Sequence, residues 1–327
     1  MSSNPSWGVV ATIKAPTKDI LNFAAYHLDL GASRVHVYLD EDDPVARTAL
    51  SEHPNCSAIF CDDAYWHQRK GRPDQHQPRQ SINATHCYRR ATDVDWLAHI
   101  DVDEFLSSTH SISEQLAQLP DGVTTAQVRP IEALAPDPFN PPPEGQIWAK
   151  GCNTRPALRR KETLKIYPNF GEQLNGGFLS HVAGKIFVRT GRPGIRIRIH
   201  NAFVNGKRMA NAHELTGMRL LHLHAPSWAH WRRSYRFRLQ KGSYRAELTS
   251  NARQSQQKIT MNELFSTIEE SGGEAALQEF FTEVCVATPE LREKLETLDH
   301  LHAISLDLDS KRNHHFPKIA QVVSNGQ

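Results

Sequence analysis

The stretch WLAHIDVDEFL, Trp96 to Leu106, decides the reading of this chain. Its opening, Trp96 to Ile100, is a short apolar run that reads as a buried strand. The run ends in three carboxylates within four positions, Asp101, Asp103 and Glu104, before Phe105 and Leu106 return to apolar character. Carboxylates at such a strand end lie where α/β sheets open their ligand crevices. Asp101 and Asp103 are two apart, so extended backbone points both to one side. Like charges so placed repel unless a cation or a donor stands between them. A divalent ion that also grips a phosphate meets that condition. Mg²⁺-type sites take one or two carboxylates and complete their shell from water and phosphate.

Outward from this stretch, the first third alternates strand and helix signals. Strands are expected at Trp7–Lys14, Val35–Leu39, Ser57–Cys61 and Asp95–Ile100, and helices at Asp19–Leu30, Val45–Leu50 and Arg79–Thr92. Gly31 is a natural stop for the first helix. Trp66–Pro78, rich in Gly, Pro, His and Gln, reads as a loop. This rhythm argues for an α/β fold, with a mainly parallel sheet flanked by helices. Five prolines between Ala135 and Gly145 require an extended loop. Residues 176–210 are Gly-rich with β alternation, which in IRIRIH sets Ile195, Ile197 and Ile199 against Arg196, Arg198 and His200. Leu220–His224 reads as a further strand, and helical character dominates from Ser227 to about Asp309. Thr249–Thr260 reads as an exposed connection.

At 327 residues and 39% hydrophobic, the chain has material for one large or two modest cores. The 38 basic and 36 acidic residues nearly cancel, so net charge makes no case for a nucleic-acid binder. Five cysteines, none in a CxxC pair, argue against a disulfide framework and against a thiolate zinc site. No leader-like segment and no apolar run of about 18 residues is visible, so a soluble cytoplasmic protein is expected. No GxxxxGK element occurs, which disfavours a P-loop NTPase.

Four further features carry chemistry. His222 and His224, at strand spacing, share a face and would complete a Mn²⁺ or Zn²⁺ site if they met the carboxylates; otherwise one is a core histidine and the other an edge residue. The acidic turn Asp40–Asp43 either caps a helix or offers Asp40 to the base or ribose of a nucleotide. Lys185, after Gly184, either neutralises a diphosphate or is an exposed strand lysine. Trp228–Arg245 interleaves aromatics with arginines, which on its own suggests a polyanion site. On a helix, however, Trp228, Trp231, Tyr235 and Leu239 form an inward stripe with the arginines in solvent, and that reading is preferred.

The chain resembles the metal-dependent glycosyltransferases of the GT-A fold, and more narrowly a family-2-like group with the signature W-x-x-x-x-D-x-D-E-F. Here the signature is Trp96, Asp101, Asp103, Glu104 and Phe105. Lys14, Tyr26, His27 and Gly31, the acids Asp40, Asp42 and Asp43, and the pair Gln80 and Asn83 agree in order. So do Gly184 with Lys185, His200, and His222 with His224, over residues 7 to 245. Pro16, Asn22 and Phe23 depart from the group's usual residues, at the expected rim of the nucleotide pocket. The resemblance implies a GT-A-like mixed α/β domain over 1–245, with a nucleotide half to about 110 and an acceptor half from 111, then a helical region over 246–327. It implies transfer of a sugar from a nucleotide-diphosphate donor, such as a UDP- or GDP-sugar, to the hydroxyl of a glycan, a lipid-linked sugar or a protein. Lys14, Asp40, Gln80, Asp101 and Lys185 would hold the donor, and Asp101, Asp103, His222 and His224 would supply ligands for Mn²⁺ or Mg²⁺. Glu132, Asp137 and Glu172 are candidates for the base. Peripheral membrane association is compatible with the basic helix, and no specific nucleic acid is expected. A nucleotidyltransferase, or a non-catalytic carbohydrate- or nucleic-acid-binding protein, remains the alternative.

Overall fold

The computed structural model describes residues 4–91, 93–209, 213–242, 244, 246 and 259–319. In chain order it begins β1 (Trp7–Ile13), α1 (Thr17–Asp29), β2 (Arg34–Leu39), α2 (Pro44–Glu52), β3 (Cys56–Phe60), α3 (Asp63–His67) and α4 (His76–Tyr88). Next come β4 (Trp96–His99), β5 (Glu104–Ser108), α5 (Ile112–Ala117), β6 (Thr125–Ala133), β7 (Gln146–Lys150) and α6 (Pro156–Ile166). They are followed by β8 (Lys185–Arg189), β9 (Ile195–Ile197), β10 (Ala202–Val204), β11 (Lys207–Arg208) and β12 (His213–His222). The chain ends with α7 (Trp228–Gln240), α8 (Met261–Cys285), α9 (Pro289–Glu296), β13 (Leu301–Ser305) and α10 (Leu308–His315). Two compact units result: Met1–Arg129 with Ala183–Leu220 and Asp307–Gln327, and Pro130–Val182 with Leu221–Leu306.

The first unit has the mixed α/β architecture expected from the sequence. Its central strands run β3-β2-β1-β4, all parallel. Strand β8 then pairs antiparallel with β4, and Thr125–Val128 of β6 with β8. Every residue of β1 is buried, as a parallel strand covered on both faces requires. Helix α1 closes at Leu30, and Gly31 takes a φ of 101°, a left-handed value that costs a side chain dearly. The Tyr26 hydroxyl donates to Leu106 O at 2.7 Å, and the His27 ring lies parallel to Phe105. The Tyr-His pair therefore braces the strand that leaves the acidic motif. Asn22 and Phe23 are buried within α1 rather than placed on a rim, and Asn22 accepts from Arg312 of α10 at 2.6 Å.

In the second unit, Glu132 and Ala133 of β6 pair with β7, and β7 pairs with β13. The five-residue β13 interrupts the region where helical character is expected to dominate, because its backbone finds a partner in β7. The preferred reading of α7 holds: Trp231 and Tyr235 are buried, while Arg232 and Arg236 pair with Glu274 and Glu269 of α8. The expected connection Thr249–Thr260 falls almost wholly outside the described residues, as does Arg245. None of the five cysteines forms a disulfide. Among the described residues, no helix is long and apolar enough to cross a membrane.

Two fully buried histidines make the first unit acid-sensitive. Burial pushes both His27 and His99 down to about 4. An imidazole whose folded pKa lies below its unfolded value near 6.5 binds fewer protons when folded, so its contribution is lost as pH falls through that upper value. Each is expected to cost about 2 kcal/mol between pH 7 and pH 5. Thermal melts at the two pH values check this, and an unchanged melting temperature would mean that these rings titrate normally.

Candidate functional site

The chain order of the parallel strands reverses between β1 and β4, since β2 and β3 lie on the far side of β1. Ligand crevices in α/β sheets open outside the carboxyl ends of the strands at such a reversal. Lys14, Asp40 and Asp101 directly follow or lie just beyond β1, β2 and β4 and so share that edge.

Asp101 is the centre of a tight cluster. Its backbone N–H donates to Glu104 Oε2 at 2.8 Å, and Glu104 N–H donates back to Asp101 O at 3.0 Å. This four-residue reciprocal turn is formed by the D-x-D-E spacing itself, much as a capping box is. Antiparallel register sets Phe187 against Ala98, which brings the start of β8 beside the end of β4. Lys185 Nζ consequently lies 2.7 Å from Asp101 Oδ2 and 3.2 Å from Glu104 Oε2. Gln80, from α4, donates to the other Asp101 oxygen. Burial by itself would lower the Lys185 pKa, but Asp101 and Glu104 outweigh it and hold the ammonium charged. The Lys185 side chain is only 3% exposed. It therefore meets the carboxylates of the motif and does not project into solvent. Asp103 lies half-buried in the turn between β4 and β5.

Asp40 forms a second cluster. Its side chain is 1% exposed, with Arg72 at 3.0 Å, Arg79 at 2.9 Å and His76 at 3.8 Å. Burial raises its pKa, but His76, Arg79 and Arg72 more than offset this and the net shift is downward. Helix α4 links the two clusters, because consecutive residues Arg79 and Gln80 reach Asp40 and Asp101. Arg72 lies in Trp66–Pro78, which reads as loop, and Arg79 at the start of the expected helix; in the structure α3 ends inside that stretch and α4 begins three residues before Arg79. Asp43, the other end of the acidic turn, caps α2 through Ala46 N at 2.8 Å. Lys14 is exposed and pairs with Glu41 at 3.3 Å. Asn83 is buried and ties Tyr65 of α3 to Thr12 of β1.

The other candidates belong to the second unit. Strand β12 ends at His222, so His224 lies in the bend beyond it rather than two along the strand. His224 is buried, its Nε2 bonded to the Tyr244 hydroxyl at 2.7 Å, and burial with Arg238 keeps its pKa well below the usual value. Its ring is 5.1 Å from that of His222. Glu132 is 1% exposed, accepts from Leu179 N and Ser180 N at 3.0 and 2.9 Å, and lies 3.4 Å from Lys150 Nζ. Its carboxylate is thus taken up internally. Asp137 is buried in the proline loop and accepts from Phe139 N at 2.9 Å, whereas Glu172 is exposed. Among the described residues, no three His, Cys, Asp or Glu side chains come together as a metal-holding group. Two neighbouring carboxylates fit an open Mg²⁺- or Mn²⁺-type site completed by phosphate and water, and do not fit a closed four-ligand zinc site.

Among curated protein sequences none matches this chain. Two solved structures share weak likeness. One is HddC from Yersinia pseudotuberculosis, at 10% identity over 41% of this chain with a TM-score of 0.27. The other is the galactosyltransferase LgtC in complex with donor and acceptor sugar analogs, at 16% identity over 56% with a TM-score of 0.26. The chain spans 65% and 57% of their respective lengths. At these values neither bears on function. The family model for glycosyltransferase family 92 matches residues 10–252, three quarters of the sequence, running from within β1 through the acidic cluster to beyond α7, and the chain belongs to that family.

Proposed function

We propose that this protein transfers a sugar from a nucleoside-diphosphate donor to an acceptor hydroxyl, using the edge of the sheet that carries Lys14, Asp40 and Asp101. The observation that supports this most is the Asp101–Glu104–Lys185–Gln80 cluster at the strand-order reversal, with Asp103 half-buried next to it. Asp103 and Asp101 would hold a divalent ion, which when bound supplies charge neutralisation for the departing diphosphate. Lys185 and Gln80 hold the Asp101 carboxylate in place, so the cluster is preorganised and loses little on engaging a donor. Asp40 is the carboxylate available to base or ribose, and Arg72 and Arg79 beside it offer guanidinium groups to phosphate. The narrower family-2-like grouping belongs to this proposal as well, since it rests on the D-x-D-E-F signature.

Calorimetric titration of UDP, GDP, CDP and ADP, with and without Mn²⁺, tests the reading. One diphosphate is expected to bind in a manner that requires Mn²⁺. In Asp103→Ala that binding is expected to weaken on the order of a hundredfold, about 3 kcal/mol. Binding that ignores both Mn²⁺ and the substitution would overturn it.

A further inference from the structure

A cavity of about 580 Å³ opens on the first unit between α4 and β9, and its chemistry is unlike that of the acidic cluster. Four guanidinium groups line it, from Arg69, Arg89, Arg196 and Arg198, together with Thr85 and His86. Two hydrogen bonds build it: the Thr85 hydroxyl accepts from Ile197 N at 3.1 Å and donates to Ile197 O at 3.2 Å. Ile195 and Ile197 are buried, so alternation turns Arg196 and Arg198 outward and the staple sets them beside the end of α4. Among the described residues, no carboxylate lies within ion-pair distance of any of the four, and none lines the cavity. Arg69 stacks on Tyr65 at 3.5 Å, and Arg198 lies 5.8 Å from the Phe203 ring. A cation at a helix C-terminus, as Arg89 is, needs no ligand to explain it. Two guanidinium groups brought to it from a separate strand are not explained that way. His86 registers the resulting field: burial, then Arg69, Arg90 and Arg89, push it down to about 4, and its other close neighbours are Tyr38 and Tyr65.

We propose that this cavity binds a tetrahedral oxyanion, a sulfate or phosphate ester carried by the acceptor. Guanidinium forks match such oxyanions bidentately. The volume is that of a small-molecule pocket rather than of a flat surface for lipid headgroups. No Phe, Tyr or Trp ring lines it, and single-stranded nucleic acid stacks its bases chiefly on such rings. The helix itself supplies the link to the reaction, since Gln80 touches Asp101 and Arg89 lies nine residues on, about 14 Å along the axis. Assignment to the acceptor rests on the transferase reading; the oxyanion site does not.

The full chain, labelled at histidine, is titrated with a sulfated tetrasaccharide, its desulfated counterpart and inorganic phosphate, and the His86 ring resonances are followed. The sulfated saccharide is expected to shift them and to raise the His86 titration midpoint, because the anion neutralises the arginines; the desulfated one is expected to do neither. Arg196→Ala with Arg198→Ala, on an exposed strand face, is expected to weaken binding at least about tenfold at an unchanged melting temperature. Mn²⁺-dependent diphosphate binding in that variant is expected to stay as in the parent, so failure of the donor reading and failure of this one are told apart. No His86 response to any probe, or equal affinity in the double variant, overturns the site. Inorganic phosphate binding as tightly as the sulfated saccharide overturns its assignment to the acceptor.

Discussion

Lys185→Met is expected to lower the stability of the first unit by about 3–5 kcal/mol at neutral pH and to weaken donor binding at the same time. The ammonium it removes is buried and bridges Asp101 and Glu104 at 2.7 and 3.2 Å. Methionine keeps much of the stem's packing, so the loss reports charge rather than volume. The two carboxylates would then face one another without the ammonium that bridges them, and like charges at that range cannot both ionise cheaply. One of them takes up a proton, which raises its folded pKa above the unfolded value near 4. A group shifted in that direction contributes stability below the unfolded pKa and loses it as pH rises, so the variant's deficit is expected to shrink toward pH 4. The buried histidines act in the opposite sense, and the comparison must therefore be parent against variant at each pH. Urea denaturation at pH 7 and pH 4.5 measures it. A variant as stable as the parent at pH 7 would show that the ammonium is not needed to hold the motif.

The parallel half of the fold was legible because its signals are local. Apolar runs end in acids, Gly31 stops α1, and the D-x-D-E spacing already contains the turn in which Glu104 caps Asp101. What was not legible depends on register between distant segments. Lys185 reads as a cation for an incoming diphosphate, yet it closes on Asp101 across 84 residues of sequence, because β8 runs antiparallel beside β4. Likewise, Arg72, from a stretch whose composition signals only a loop, and Arg79, from the helix that follows it, converge on Asp40. LHAIS, at β13, has the length of a strand, but its partner β7 lies some 150 residues earlier, and no local pattern announces it. The arginines of IRIRIH did announce their exposure through alternation, while the staple from Thr85 that gives them a common cavity did not.

Lys150→Met is the counterpart in the second unit and is expected to cost about 3–5 kcal/mol. The Lys150 ammonium is fully buried, donates to Gly177 O and Val284 O at 2.6 Å each, and lies 3.4 Å from Glu132 Oε2. Its withdrawal leaves two carbonyls and a carboxylate short of a donor, each paying the desolvation of an unmet group. Gly177 cannot relax easily to compensate: its φ is 78°, and a Cβ there would meet the Tyr167 ring at 2.3 Å. Glu132→Gln alone keeps the shape but turns an amide N–H₂ toward Leu179 N or Ser180 N, and is expected to destabilise by a smaller amount. In the double variant both charges are gone, so its loss is expected to be less than the sum of the single losses, the mark of a coupled pair. This cycle also decides what Glu132 does. A catalytic base replaced by its amide would abolish turnover in a protein of unchanged stability. A buried anchor for the Leu179–Ser180 amides would instead lower the melting temperature and couple to Lys150, and the geometry of Glu132 supports the second outcome.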